Sequence, residues 1–247
     1  MSAREGTVLL LSVRPERTAA DAEAESFRRA AGVDAADFAH LRLDLDPLSS
    51  VDLGGVAAVL IGGSPFNVST PESEKPPVQR RIESDLVRLA EYALDRDLPV
   101  LFTCYGIGVL TRVLGGTVDR TYGEAVGPTP ISLTDAGRAD PLTGALDAPF
   151  TALVGHKEAA ATLPAEATLL AGSEGCPVQV YRAGRSVYAT QFHPEVSADD
   201  FIARATLYRD YGYFPSEELD HIAEVVRGAS VTEPQRLLHR FVARARG

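Results

Sequence analysis

Three short apolar runs constrain the fold of this chain more than any other feature: residues 7–13 (TVLLLSV), Val56–Ile61 (VAAVLI) and 99–104 (PVLFTC). Each is bounded by turn residues, is too short for a buried helix, and is apolar without alternation. That is the signature of a strand covered on both faces, the condition of a parallel sheet. Helical patterns separate the runs, at 20–31 and at 78–94, where Val78, Ile82, Leu86, Leu89 and Tyr92 share one side. The alternation predicts an α/β fold with a mostly parallel central sheet and helices on both faces.

After Gly116 the pattern changes to shorter, antiparallel-looking strands at 129–134, 150–154, 168–171, 178–181 and 186–190, with one short helix near 141–146. Helical segments follow at 198–211, 217–226 and Glu233–Ala245, the last with Leu237, Leu238, Phe241 and Val242 on one stripe. The expected organisation is one domain over 1–212 and a C-terminal helical extension over 213–247 packed on it. The extension reads as edge packing, with a docking surface for a partner chain or a cover over the site as the alternative.

Thirty-four acidic against 24 basic residues give a net charge of −10, which repels phosphate backbones and anionic lipids. Neither nucleic acid nor membrane is expected as a partner, and no run approaches the roughly 20 apolar residues of a membrane span. The opening MSAREG, a seven-residue apolar run and then RPER do not read as a signal peptide. Two cysteines in unlike contexts, Cys104 and Cys176, support neither a disulfide framework nor a zinc site, so a cytoplasmic location with no metal and no cofactor is expected.

Chemistry concentrates in three places. Cys104 ends an apolar strand, and Tyr-Gly-Ile-Gly108 leads at once into a helical pattern, so its side chain is presented on a sharp strand-to-helix turn. There the helix N-terminus favours thiolate over thiol, whereas a lone strand cysteine would read as a small buried hydrophobe. Gln191-Phe-His193-Pro-Glu195 ends another apolar stretch and lets the carboxylate reach one imidazole nitrogen and fix the tautomer. Gly62-Gly63-Ser64-Pro65 ends the second run, and its unhindered amide can pair with that of Tyr105 as an oxyanion hole.

With these residues, and with the Gly115-Gly116-Thr-Val118 to Glu124 segment, the chain resembles a class I glutamine amidotransferase over about residues 7–212. It is most similar to the glutaminase portion of GMP synthetases and their stand-alone relatives. The resemblance implies a flavodoxin-like sheet, Cys104 as nucleophile, His193 as general base and acid, Glu195 as its orienter, and the amides of Gly63 and Tyr105 as oxyanion donors. It also implies substrate contacts at Gly62, Ser64, Gly108, His156 and Gln191.

Gly108 departs from the glutamine the family commonly carries there, which leaves room for a larger γ-glutamyl compound. His156 lines the substrate pocket or caps a strand, Lys157 reads as a solvated surface charge, and Cys176 as structural. The expected activity is hydrolysis of the glutamine side-chain amide through a thioester. A γ-glutamyl hydrolase on the same triad and a non-catalytic binding protein are the alternatives. No phosphate-binding loop is recognisable in the sequence, so a synthetase that accepts the ammonia is expected to be a separate subunit, or there is none. Self-association into a homo-oligomer stays open.

Overall fold

The computed structural model describes residues 6–247; residues 1–5, part of the segment read as lacking a leader, lie outside the described residues. In chain order the elements are β1 (Thr7–Ser12), α1 (Arg17–Ala31), β2 (Phe38–Arg42), β3 (Val56–Ile61), α2 (Pro77–Arg96), β4 (Val100–Thr103) and α3 (Tyr105–Val113). Then follow β5 (Thr117–Asp119), β6 (Glu124–Leu133), α4 (Asp135–Ala139), β7 (Phe150–His156), β8 (Ala159–Thr162), β9 (Ala167–Gly172), β10 (Val180–Ala183) and β11 (Val187–Thr190). Helices α5 (Ala198–Leu207), α6 (Leu219–Gly228) and α7 (Glu233–Ala245) complete the chain.

One nine-stranded sheet has the order β2-β1-β3-β4-β11-β10-β9-β6-β7, and β5 pairs with β8 in a separate two-stranded sheet. The first five strands are parallel and the remaining pairings antiparallel. Strand β11 therefore departs in part from the antiparallel reading of residues 186–190: it is antiparallel to β10 and parallel to β4. It leaves β10 through a tight turn with Gly184 at φ 58°, then uses its other edge to pair in parallel with β4. Strand β2 was not expected, because FAHLR interrupts its apolar residues with His40 and Arg42; it adds at the edge of β1.

Every residue of β1 is buried. Its odd-numbered positions Leu9 and Leu11 join Val59, Ile61 and Phe102 under α2 and α3, while Val8 and Leu10 join Leu60 and Leu101 under α1 and α7. Burial on both faces explains the unbroken apolar run. On α7, Leu237 and Leu238 are fully buried among Val8, Leu10 and Phe27, each contributing about 1.5–3 kcal/mol of hydrophobic stabilisation. Among the described residues no helix is long and apolar enough to cross a membrane.

Candidate active site

Three neighbouring parallel strands, β3, β4 and β11, end at the same edge of the sheet, where open α/β sheets collect their ligands. Gly62-Gly63 follows β3, Cys104 follows β4, and His193 lies just past β11. The sheet order thus assembles three segments far apart in sequence.

Cys104 occupies the turn between β4 and α3 at φ 50°, ψ −101°, a backbone conformation that costs a non-glycine residue of order 1–3 kcal/mol. Neighbouring bonds hold it there. Its N–H donates to the Thr190 carbonyl at 2.9 Å, and the Thr103 hydroxyl donates to the Ile61 carbonyl at 2.7 Å, clamping β4 between β11 and β3. Tyr105 opens α3, so its N–H is one of the helix's unpaired first-turn donors. The Tyr105 phenol donates to Glu83 at 2.8 Å, and Glu83 in turn pairs with the buried Lys75.

His193 Nδ1 lies 2.8 Å from Glu195 Oε1. Arg204 Nη1 reaches the same oxygen at 2.9 Å, so imidazole and guanidinium share one carboxylate. Arg204 is delivered by α5, whose start is fixed by a capping box between Ser197 and Asp200. Burial alone would lower the imidazole's affinity for its proton, but the Glu195 carboxylate and then Cys104, through charge and a side-chain hydrogen bond, hold it well above the usual histidine range. Burial likewise works against the Glu195 charge, and His193 and Arg204 outweigh it, keeping that carboxyl below its ordinary range.

Beneath this pair lies an ion chain that sequence reasoning missed. Glu23 on α1 is fully buried and accepts from Arg14 Nε at 2.8 Å, while Arg14 also donates to the Tyr208 hydroxyl at 3.2 Å. Arg204 Nη2 stands 3.9 Å from Glu23 Oε1. Burial disfavours the Arg14 charge, and Glu23 and Tyr208 overcome it.

The oxyanion expectation meets a correction here. The Gly63 N–H donates to Glu23 Oε1 at 3.1 Å and is not open to a substrate oxygen in this conformation. Gly62 does not face a substrate either: a Cβ on it would stand 2.2 Å from Glu23 Oε2. One on Gly63 would stand 2.5 Å from His193 Cε1 and 2.8 Å from Arg14 Nη2, so the two glycines are required because Glu23 crowds the first and His193 with Arg14 the second.

Two cavities meet at Cys104. One, of about 30 Å³, is bordered by Ser64, Asn67, Gly108, His156 and Gln191; the other, of about 60 Å³, lies on the His193 side. Ser64, Gly108, His156 and Gln191 therefore come together, whereas Gly62 stays apart. The Gln191 Oε1 atom is buried with no hydrogen-bond partner among the described residues, and Gln191 borders the smaller cavity.

The space expected beside Gly108 is occupied. A Cβ there would approach Val68 Cγ2 to 3.1 Å and Val118 Cγ1 to 3.7 Å. Val68 is pinned by its N–H to Glu158 and its carbonyl to Arg112 at 2.8 Å. Lys157 is not merely solvated: it donates to the Tyr211 carbonyl at 2.6 Å and sits 4.4 Å from the Tyr213 ring centre. Cys176 is buried, and its thiol is pushed up to about 12 by that burial.

Among the described residues two groups could offer metal donors, Glu23/His193/Glu195 and Glu124/His156/Cys176, the ligand atoms within each lying within 4.8 Å of one another. In both, the carboxylates already accept protein hydrogen bonds, from Arg14 and Arg204 in the first and from Ser173 and Gln179 in the second.

The sequence profile of class-I glutamine amidotransferases matches residues 35–204. The chain belongs to that family. It is 32% identical over 141 residues to the glutamine amidotransferase-like protein YfeJ of Salmonella typhimurium, covering 57% of each protein. It is 30% identical over 158 residues to the glutamine-hydrolysing GMP synthase of Aeropyrum pernix, covering 62% of this chain and 28% of that one. The chain thus spans little more than half the length of the first relative and about a quarter of the second. Over nearly its whole length it shares the fold of a glutamine amidotransferase from Thermotoga maritima, with a TM-score of 0.75, 21% identity, and 98% and 99% of the two chains covered.

Proposed function

We propose that this class-I amidotransferase hydrolyses the side-chain amide of glutamine through a thioester on Cys104. The observation that carries the proposal is the meeting, in one cavity, of a partly exposed cysteine at a left-handed strand-to-helix turn with a histidine whose Nδ1 is held by a buried carboxylate. The Cys104 sulfur attacks the amide carbon, and the oxygen gathers negative charge near the first N–H of α3, that of Tyr105. As the C–N bond breaks, His193 gives its proton to the departing nitrogen. It then takes a proton from water, which opens the thioester to glutamate and frees the sulfur. Glu195 stabilises the charged imidazole and fixes its orientation. Gly63 can donate to the oxyanion only by exchanging Glu23 for it, a rearrangement of the glycine turn within the reaction cycle.

The ammonia passes to an acceptor on another protein. Support for this comes from the relatives that are glutamine-hydrolysing GMP synthases. Co-purification with a stoichiometric second chain is the expected result; strict isolation or self-association would count against it.

Ammonia release from L-glutamine by the wild-type chain and by Cys104→Ala tests the chemistry. The variant should lose several orders of magnitude, since the covalent route disappears. Equal rates in the two proteins would sink the mechanism.

A further inference from the structure

The two cavities at Cys104 divide by chemistry. Attack on a γ-glutamyl amide places the glutamyl carbons on one side of the sulfur and the nitrogen on the side of the acid that protonates it. His193 lines only the larger cavity, so that cavity receives the leaving group. Its walls include Val126, Phe201, Ala205, Tyr208, Tyr213 and Phe214. Ammonia gains nothing from such a lining, and the cavity is about twice the size of its neighbour, about 60 against about 30 Å³.

The walls are fastened in place. Lys157 holds the Tyr211 carbonyl at 2.6 Å and lies over the Tyr213 ring; Glu16 accepts from the Tyr208 and Tyr211 hydroxyls at 2.9 and 3.0 Å. The two arginines beside the cavity are held by carboxylates, the buried Arg14 by Glu23 at 2.8 Å and Arg204 by Glu195 at 2.9 Å. Arg204 shares its carboxylate with His193, so an anionic leaving group would have to enter among apolar and aromatic walls and draw a guanidinium away from a carboxylate already in place.

The geometry points to a leaving-group subsite for short apolar amines, so that the substrates extend to γ-glutamyl N-alkylamides. The inference rests on the thioester chemistry proposed above. Thiolate attack forms the S–C bond, the C–N bond breaks, the amine leaves with the His193 proton, and water completes hydrolysis to glutamate. The room lies on the nitrogen's side of the sulfur. The space beside Gly108 would have met the glutamyl chain instead, and Val68 fills it.

Glutamate release from L-glutamine, γ-glutamylmethylamide, γ-glutamylethylamide and γ-glutamylglycine decides the matter. Burying one more methylene should raise kcat/KM about fourfold from methylamide to ethylamide. The glycine derivative, with its carboxylate, should fall more than tenfold below the ethylamide. Ala205→Leu, which fills the cavity, should cut the ethylamide-to-glutamine ratio more than tenfold, and Phe214→Ala should move the preference toward longer amines. Turnover of the ethylamide without glutamine would also support the subsite. Glutamine turnover without any alkylamide turnover, or ratios indifferent to both variants, would overturn the subsite and leave the thioester chemistry standing. Failure of every substrate would remove the chemistry and the subsite together.

Discussion

Two buried histidine–glutamate pairs stand on opposite sides of the candidate site, with nearly equal separations: 2.8 Å for His193–Glu195 and 2.9 Å for His156–Glu124. What differs is the rest of each ring. His156 has both nitrogens engaged, Nδ1 with the Glu158 carbonyl at 3.0 Å and Nε2 with Glu124, so it has no nitrogen to offer a reacting group. His193 commits Nδ1 to Glu195, with Arg204 Nη1 3.0 Å from the same nitrogen, and it shares a cavity with Cys104. The surroundings differ too: arginines flank the first pair, and the neutral partners Ser173 and Gln179 flank the second. A histidine–carboxylate distance alone therefore does not distinguish a proton shuttle from a structural brace.

The sharpest way to break this comparison is to give both histidines the same substitution. His193→Asn should lower kcat/KM for glutamine by about 10²–10⁴, the usual share of a general acid–base group. His156→Asn should act mainly through a raised KM and a lowered Tm. If the two variants lost kcat equally, the distinction drawn from the ring nitrogens would fail.

Next in size is the Arg14–Glu23–Arg204 ion chain on the His193 side. Glu23→Ala leaves Arg14 buried without its carboxylate, which should cost about 3–5 kcal/mol. For a chain of this length thermal denaturation should register that as about 2–4 °C per kcal/mol. Glu23→Gln, which keeps an acceptor for the Gly63 N–H, should lose less. An unchanged Tm in the alanine variant would show that the chain contributes nothing to stability.

The unequal legibility of these parts has a physical origin. The Cys104 turn announces itself locally, through a buried strand, small residues and an immediate helix, and the Gln191–Glu195 segment carries its own spacing. The α7 stripe was equally plain, since Leu237, Leu238, Phe241 and Val242 repeat at helical intervals. Glu23 was not, because on α1 it sits among Asp21 and Glu25 and looks like part of a solvated face. Its burial exists only once α1 lies over the glycine turn. Val68 filling the space at Gly108 is likewise a contact between distant segments, β2 was masked by its polar alternation, and the Tyr208–Tyr213 aromatics acquire their place through Glu16 and Lys157. Short-range geometry is written in sequence neighbours, and compensation between remote segments is not.

The charge environment sharpens the comparison through pH. Glu195 is the main group raising His193, against burial and Arg204. The imidazolium form persists below that raised value and is lost as pH rises through it, so both the active proton distribution and the pair's contribution to stability decline on the alkaline side. Glu195→Gln removes the anion while burial and Arg204 remain. The alkaline limb of kcat/KM should then move to lower pH by about one unit or more. A limb that stayed in place would mean that Glu195 does not set the proton affinity of His193.

The counterpart on the other pair should appear at the opposite end of the pH scale. Burial raises the Glu124 carboxyl, but hydrogen bonds from His156 and Ser173, the His156 charge and a bond from Gln179 bring it below its ordinary range. A depressed carboxyl contributes stability that is complete above its unfolded value, about 4.3, and is lost as pH falls through the lower folded value. Glu124→Gln lacks that contribution, so its unfolding free energy should decline less steeply than wild type below that pH. Because Glu124 is not a principal influence on His193, the alkaline limb of kcat/KM should keep its wild-type position in the same protein. Movement of that limb would show that the two pairs are electrostatically coupled across the site, and the separation between shuttle and brace would then have to be abandoned.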